Sequence, residues 1–133
     1  MPKLLLVLLA LTATACWSDK VTGSSTVNGT YTLRTVNGSS LPYTISGSGN
    51  NKSEILSDTI QLYEGFTYAE SAHYRNTVNG TVTNETRTDS GSFALLGNSI
   101  SFRSNDGSPI NTYVIDANTM NVVKPGLTMA FRK

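Results

Sequence analysis

The sequence predicts an all-β domain, a small antiparallel up-and-down barrel of about eight to ten short strands, placed after an N-terminal signal segment. Three observations carry this. From Val27 to the C-terminus, apolar residues alternate with polar ones in short runs. Turn residues separate those runs, and no window of about 11 or more residues after Cys16 repeats at 3.6 residues as an amphipathic helix would. Strands that follow one another through tight turns form a meander, and a meander removes its exposed edges most economically by closing into a barrel. A two-sheet sandwich is the alternative.

The first residues set the address. Lys3 gives a positive start, Leu4–Leu11 is an uninterrupted apolar run, and small residues at Thr12–Ala15 lead into Cys16. A run of about 8 apolar residues is far short of the ~20 needed to span a bilayer, and it fits the core of a signal peptide. Ala13-Thr14-Ala15 meets the small-x-small rule, so cleavage falls after Ala15 and Cys16 becomes the first mature residue. Residues 13–16 resemble the lipobox of bacterial lipoproteins, in which the cysteine takes a diacylglycerol before cleavage. This chain has Ala13 where that family usually has Leu. The resemblance implies lipidation at Cys16. Cys16 is also the only cysteine, so no intramolecular disulfide uses it. A plain secretory signal and a retained membrane segment are the other readings. Two or three acyl chains anchor stably, at about 0.8 kcal/mol per buried CH₂. In the related pattern an Asp after the cysteine retains the protein in the inner membrane. Trp17 stands there instead, so the expected place is the bacterial cell envelope, lipid-anchored, with the outer membrane favoured and the domain periplasmic or surface-facing.

Residues 1–15 are thus read as signal peptide, 16–26 as the lipidated cysteine with a flexible tether, and 27–133 as the barrel domain. Removing 15 of 133 residues leaves 118, one domain's worth. Charged residues make up 14% of the chain and the net charge is +1. Without a basic stripe, nucleic acid is not an expected partner.

The strands follow in order. Gly29–Val36 alternates, with Tyr31 and Leu33 on one face, and Asn37-Gly38 is a type I′ hairpin signal. Leu41–Ser46 is a weaker strand, because Pro42 lacks a ladder donor, and 47–52 is a loop. Ser53–Tyr63 is a strand bent near Ser57-Asp58, and Glu64-Gly65 turns it. In Phe66–Arg75, Phe66, Tyr68, Ala72 and Tyr74 share a face with Glu70, while His73 takes the other. Residues 76–80 form a loop, and Thr81–Thr88 reads as exposed or at an edge. Gly91–Leu96, Ser99–Ser104, Ile110–Asp116, Met120–Lys124 and Leu127–Lys133 complete the meander.

At this level the chain resembles the small lipocalin-like domains of bacterial lipoproteins over about residues 27–133. The likeness rests on Gly29-Thr30-Tyr31-Thr32-Leu33, on Val36-Asn37-Gly38 with Leu41-Pro42, on Gly91-Ser92-Phe93 and Gly97–Phe102, and on the closing Leu127–Lys133 strand. In lipocalins a Gly-x-Trp on the first strand is covered by a basic side chain from the last. The resemblance implies that Gly29, Tyr31 and Arg132 play those parts, with Tyr31 in place of Trp.

No constellation in the sequence requires catalysis. His73 is the only histidine, and Glu70 lies on the opposite face of its strand, so no metal site, catalytic residue or cofactor is expected. The candidate function is a non-enzymatic one, binding a small hydrophobic ligand or lipid. Tyr31, Phe66, Tyr68, Tyr74, Phe93, Phe102 and Phe131 are the candidate cavity lining. The alternative is a filled barrel, in which those aromatics are core and the protein is a structural or protein-interaction module of the envelope.

Overall fold

The structure is a computed structural model that describes residues 27–133. Cys16, the cleavage site after Ala15 and the tether expected over 17–26 lie outside the described residues. The strands are β1 (Gly29–Val36), β2 (Ser39–Ser40), β3 (Tyr43–Ser48), β4 (Asn51–Tyr63), β5 (Thr67–Val78), β6 (Thr81–Leu96), β7 (Ser99–Ser104), β8 (Asn111–Asp116), β9 (Thr119–Lys124) and β10 (Leu127–Arg132). From β4 onward each strand pairs antiparallel with the next. β1 closes the ring, because Tyr31 faces Ile60 of β4 on one side and Leu33 faces Phe131 of β10 on the other. With β2 and β3 set aside as outliers on β1 and β4, the remaining eight strands form a closed antiparallel barrel. The closure decides between barrel and sandwich, and the result is consistent with a lipocalin-like barrel.

The barrel has two different ends. Gly29, the β4–β5 turn and the C-terminal Lys133 lie at the base, and the turns at Asn37-Gly38 and Pro125-Gly126 lie at the mouth. β4, β5 and β6 are 13, 12 and 16 residues long, whereas β7–β10 have 6 each. Since β7 pairs with β6 only over Gly91–Leu96, the upper parts of β3–β6 rise beyond the ring as a flap. Bulges between Ile55 and Ser57 in β4 and between Leu33 and Thr35 in β1 bend the strands there.

The interior is filled. Tyr31, Leu33, Ile60, Leu62, Ile100, Met120 and Phe131 are buried core residues. A chain of ring contacts crosses the lower barrel. Phe66 meets Phe93 at 5.6 Å, Phe93 meets Phe102 at 6.3 Å, Phe102 meets Tyr113 at 5.2 Å, and Tyr113 meets Phe131 at 6.3 Å. Tyr68 adds an edge contact to Phe102 at 4.8 Å. An eight-stranded barrel is just wide enough to be filled by side chains, and these rings fill it.

Five local expectations change. Thr81–Leu96 is one strand, not two strands broken near Gly91. Gly91 marks a close approach instead, since a Cβ there would collide with the Arg103 carbonyl of β7. The loop expected over 76–80 contracts to a turn at Asn79-Gly80, and the one over 47–52 to Gly49-Asn50, because the flap continues the ladder on both sides. The Asn37-Gly38 turn forms, but its partner strand is only Ser39–Ser40, after which Leu41-Pro42 redirects the chain to β4. Finally, Lys133, not Arg132, covers the first strand. Its Nζ stands 5.5 Å from the Tyr31 ring centroid, and its stem packs where a Gly29 side chain would be. Phe131 points inward, so Arg132 points out and the next residue, Lys133, points back.

Phe102→Ala should lower the unfolding free energy by about 3–5 kcal/mol in chemical denaturation, because it empties the centre of the ring chain. Leu96→Ala, at a side chain that is 85% exposed, should change it by no more than about 0.5 kcal/mol. Equal losses at both positions would contradict a filled interior.

Candidate functional site

At the mouth the ring opens into a cleft of about 320 Å³. Its walls come from five parts of the chain: Val36 and Asn37 of the first hairpin, Tyr43 and Ile45 of β3, Ile55 of β4, Tyr74 of β5, and Gly126, Leu127 and Met129 of the last hairpin. Most of this lining is apolar. Asn37 fixes the rim. Its side chain accepts from the Thr128 N–H at 2.7 Å and donates to the Gly126 carbonyl at 3.2 Å and to the Tyr43 hydroxyl at 2.9 Å. Its own N–H donates to the Thr128 carbonyl at 2.7 Å. Asn37 adopts φ 49°, a left-handed turn conformation that Asn tolerates well, so the turn chemistry and the rim come from one residue.

Below the cleft lies a polar layer. Asp58 faces Ala72 across β4–β5, one layer beneath the Ile55–Tyr74 pair. It is 3% exposed, and its Oδ1 has no hydrogen-bond partner among the described residues. Burial first, then the charge of Glu70 and the hydrogen bond shared with it, push the Asp58 carboxyl up to about 8. Burial likewise raises Glu70 above the usual carboxylate range. Burial thus favours the neutral form of both carboxyls. Further down, the Tyr68 hydroxyl donates to Asp89 at 2.6 Å, and the Ser104 hydroxyl donates to the other Asp89 oxygen. Burial and the Asp89 bond keep the Tyr68 phenol protonated. At the flap, Arg87 stands 4.9 Å over the Tyr74 ring and pairs with Glu85 at 2.7 Å.

This arrangement favours neutral carboxyls below an apolar surface. Ile55 and Tyr74 stand between the mouth and Asp58, so a molecule in the cleft meets apolar walls first and reaches the carboxyls only by displacing that layer.

Of the seven aromatics expected as cavity lining, Tyr74 alone lines the cleft. Tyr31, Tyr68, Phe93, Phe102 and Phe131 are buried in the core, and Phe66 closes the base at the β4–β5 turn with φ 62°. His73 is on the outer face, 2.9 Å from the Thr86 hydroxyl. Glu70 does share the inward face with Tyr68 and Tyr74, as its spacing predicts. Sequence reasoning missed Asp58 as an interior group, although Asp58, Ile60 and Leu62 fall at the two-residue spacing of a single face. It also missed Ile45, Leu127 and Met129.

The Asp58 carboxyl makes stability depend on pH. Its folded value, about 8, lies above the ordinary 3.8 of an unfolded aspartate. Between these values the native chain keeps a proton that the unfolded chain has released. The stabilising contribution is therefore full below about pH 4 and is lost as pH rises towards 8. Thermal denaturation should show the melting temperature falling by about 10–20 °C between pH 5 and 8. Asp58→Asn, which cannot ionise and whose amide can donate to Glu70, should flatten that slope. An unchanged slope would remove Asp58 from this role. No protein-family model, curated protein or solved structure matches the chain, so its function must be read from its own residues.

Proposed function

We propose that the chain is a membrane-anchored extracytoplasmic lipoprotein of a bacterial envelope, held by acyl chains on Cys16, whose barrel binds a small hydrophobic or lipid-like molecule without transforming it. The observation that carries the binding reading is the apolar cleft at the mouth, rimmed by the Asn37 network and about 320 Å³ in volume. That volume is at the lower end of small-molecule sites. The aromatic chain fills the barrel beneath, so the ligand would occupy the top of the barrel and leave its lumen untouched. The anchor reading rests on Ala13-Thr14-Ala15-Cys16 and the apolar run before it.

A second reading is favoured by the same filled interior. Without a hollow lumen, the barrel serves as a scaffold, and the protein is an interaction module of the envelope.

Native mass spectrometry of the full chain in detergent micelles tests the leading reading. A noncovalent mass that departs on denaturation, beyond the covalent lipid on Cys16, is the expected result. Met129→Trp, which fills the cleft, should lower the occupancy by about tenfold. A bare protein mass after incubation with envelope lipid extract would support the scaffold reading. Cys16→Ser should move the protein to the aqueous phase without the lipid mass, and its retention in the detergent phase would contradict the anchor.

A further inference from the structure

The upper half of β6 has an open edge. β5 pairs with β6 from Thr81 to Ser92, whereas β7 covers it only from Gly91 onward. The Phe93 N–H donates to the Phe66 carbonyl on the β5 side, and the Asn105 N–H donates to the Ser90 carbonyl on the β7 side. Backbone groups alternate in direction along an antiparallel strand. The odd-numbered residues of β6 therefore bond to β5, and Val82, Asn84, Thr86 and Thr88 turn their N–H and C=O groups to the open side. No described strand pairs with them there. Sheets usually blunt such an edge with Pro, charged side chains, a bulge or shortness, and here the charges Glu85, Arg87 and Asp89 alternate in sign instead of repelling uniformly. Thr81–Ser90 has no Pro and no Lys, and its ladder with β5 runs without a register shift. Thr and Val, at five of its ten positions, favour extended pairing.

We propose that this edge is an interface for a second copy of the chain, pairing β6 with β6 antiparallel about a two-fold axis at Thr86. The charges select the occupant and the register. With the axis at Thr86, Thr86 faces Thr86 and Asn84 faces Thr88. These residues are the ones whose backbone groups point outward, so the ladder hydrogen bonds form. Glu85 of each copy then faces Arg87 of the other, at positions where opposed side chains come closest. Moving the axis to Glu85 sets Glu85 against Glu85. Moving it to Arg87 sets Arg87 against Arg87 and Glu85 against Asp89. Glu85 and Arg87 are both exposed and already paired within the strand, so each can extend its contact to the second copy. An axis at Thr88 would set Arg87 against Asp89, but the Asp89 carboxylate is held by Tyr68 and Ser104, and the Ser90 carbonyl that this register needs already accepts from Asn105. The Thr86 register is therefore the self-complementary one made from open groups, as a two-fold interface requires.

The test is sedimentation of the full chain in density-matched detergent. The wild type should form a dimer. Glu85→Arg and Arg87→Glu, each alone, set like charges against each other twice and should weaken self-association by about tenfold. An equimolar mixture of the two should restore association, since the cationic edge of one faces the anionic edge of the other. The double variant E85R/R87E should dimerise like the wild type. Thr86→Pro removes an N–H that faces away from β5, so it should abolish the dimer while keeping the barrel's β-sheet spectrum. A monomeric wild type, single variants that associate like the wild type, or a mixture that stays monomeric would each overturn the proposal. So would a different polypeptide strand found bound on this edge.

Discussion

The closure made by β1 is the constraint on which the rest of the structure depends. Among the described strands, β1 alone serves two non-adjacent neighbours, β10 and, after the β2–β3 detour, β4. Without that double pairing, β10 and β4 would expose long edges and the inward aromatics would have no enclosed space to fill. Tyr31 concentrates the closure. It lies on the strand that both neighbours grip, its hydroxyl donates to the Val27 carbonyl at 2.8 Å, and Lys133 covers its ring. The chain's first described residues and its last are thereby pinned together at the base.

Closure fixes the interior width, and the width sorts chemistry by depth. At the base, aromatic rings meet edge to face and leave no room for a guest. In the middle, small Ala72 makes space for Asp58, Asp89 accepts from the hydroxyls of Tyr68 and Ser104, and burial favours the neutral forms of Asp58 and Glu70. A buried carboxyl costs little once it is neutral, which is why burial raises Asp58 and leaves it protonated near neutral pH. At the mouth, the bulges let β1 and β4 diverge, and the cleft opens between the flap and the last hairpin. The flap's own length then leaves the β6 edge uncovered, a consequence of strands that outgrow the ring they belong to.

Much of this is legible along the chain. Tyr31 and Leu33, Ile60 and Leu62, and Tyr68 through Tyr74 sort to one face by simple alternation, and Asn37-Gly38 and Pro125-Gly126 announce their turns. Glu70 stands out as a charge on an apolar face, and it is one half of the buried pair. Other features escape because they are not local. The cleft gathers residues 36, 37, 43, 45, 55, 74, 126, 127 and 129, which nothing short of closure brings together. Gly91 looks like a strand break, and only the approach of Arg103 reveals it as a contact. The covering lysine at the end of β10 was within reach, since Phe131 inward implies Arg132 outward and Lys133 inward.

Under the proposed function, the barrel is filled below and receptive only at its mouth. Methyl NMR during titration with a small apolar probe tests it most directly. Ile45, Ile55, Leu127 and Met129 should shift together with a single binding curve, while Ile100, Ile115 and Met120 hold their positions. Shifts at the latter three would mean that the probe enters the lumen, and an absence of shifts at all seven would mean that the cleft binds nothing of this kind.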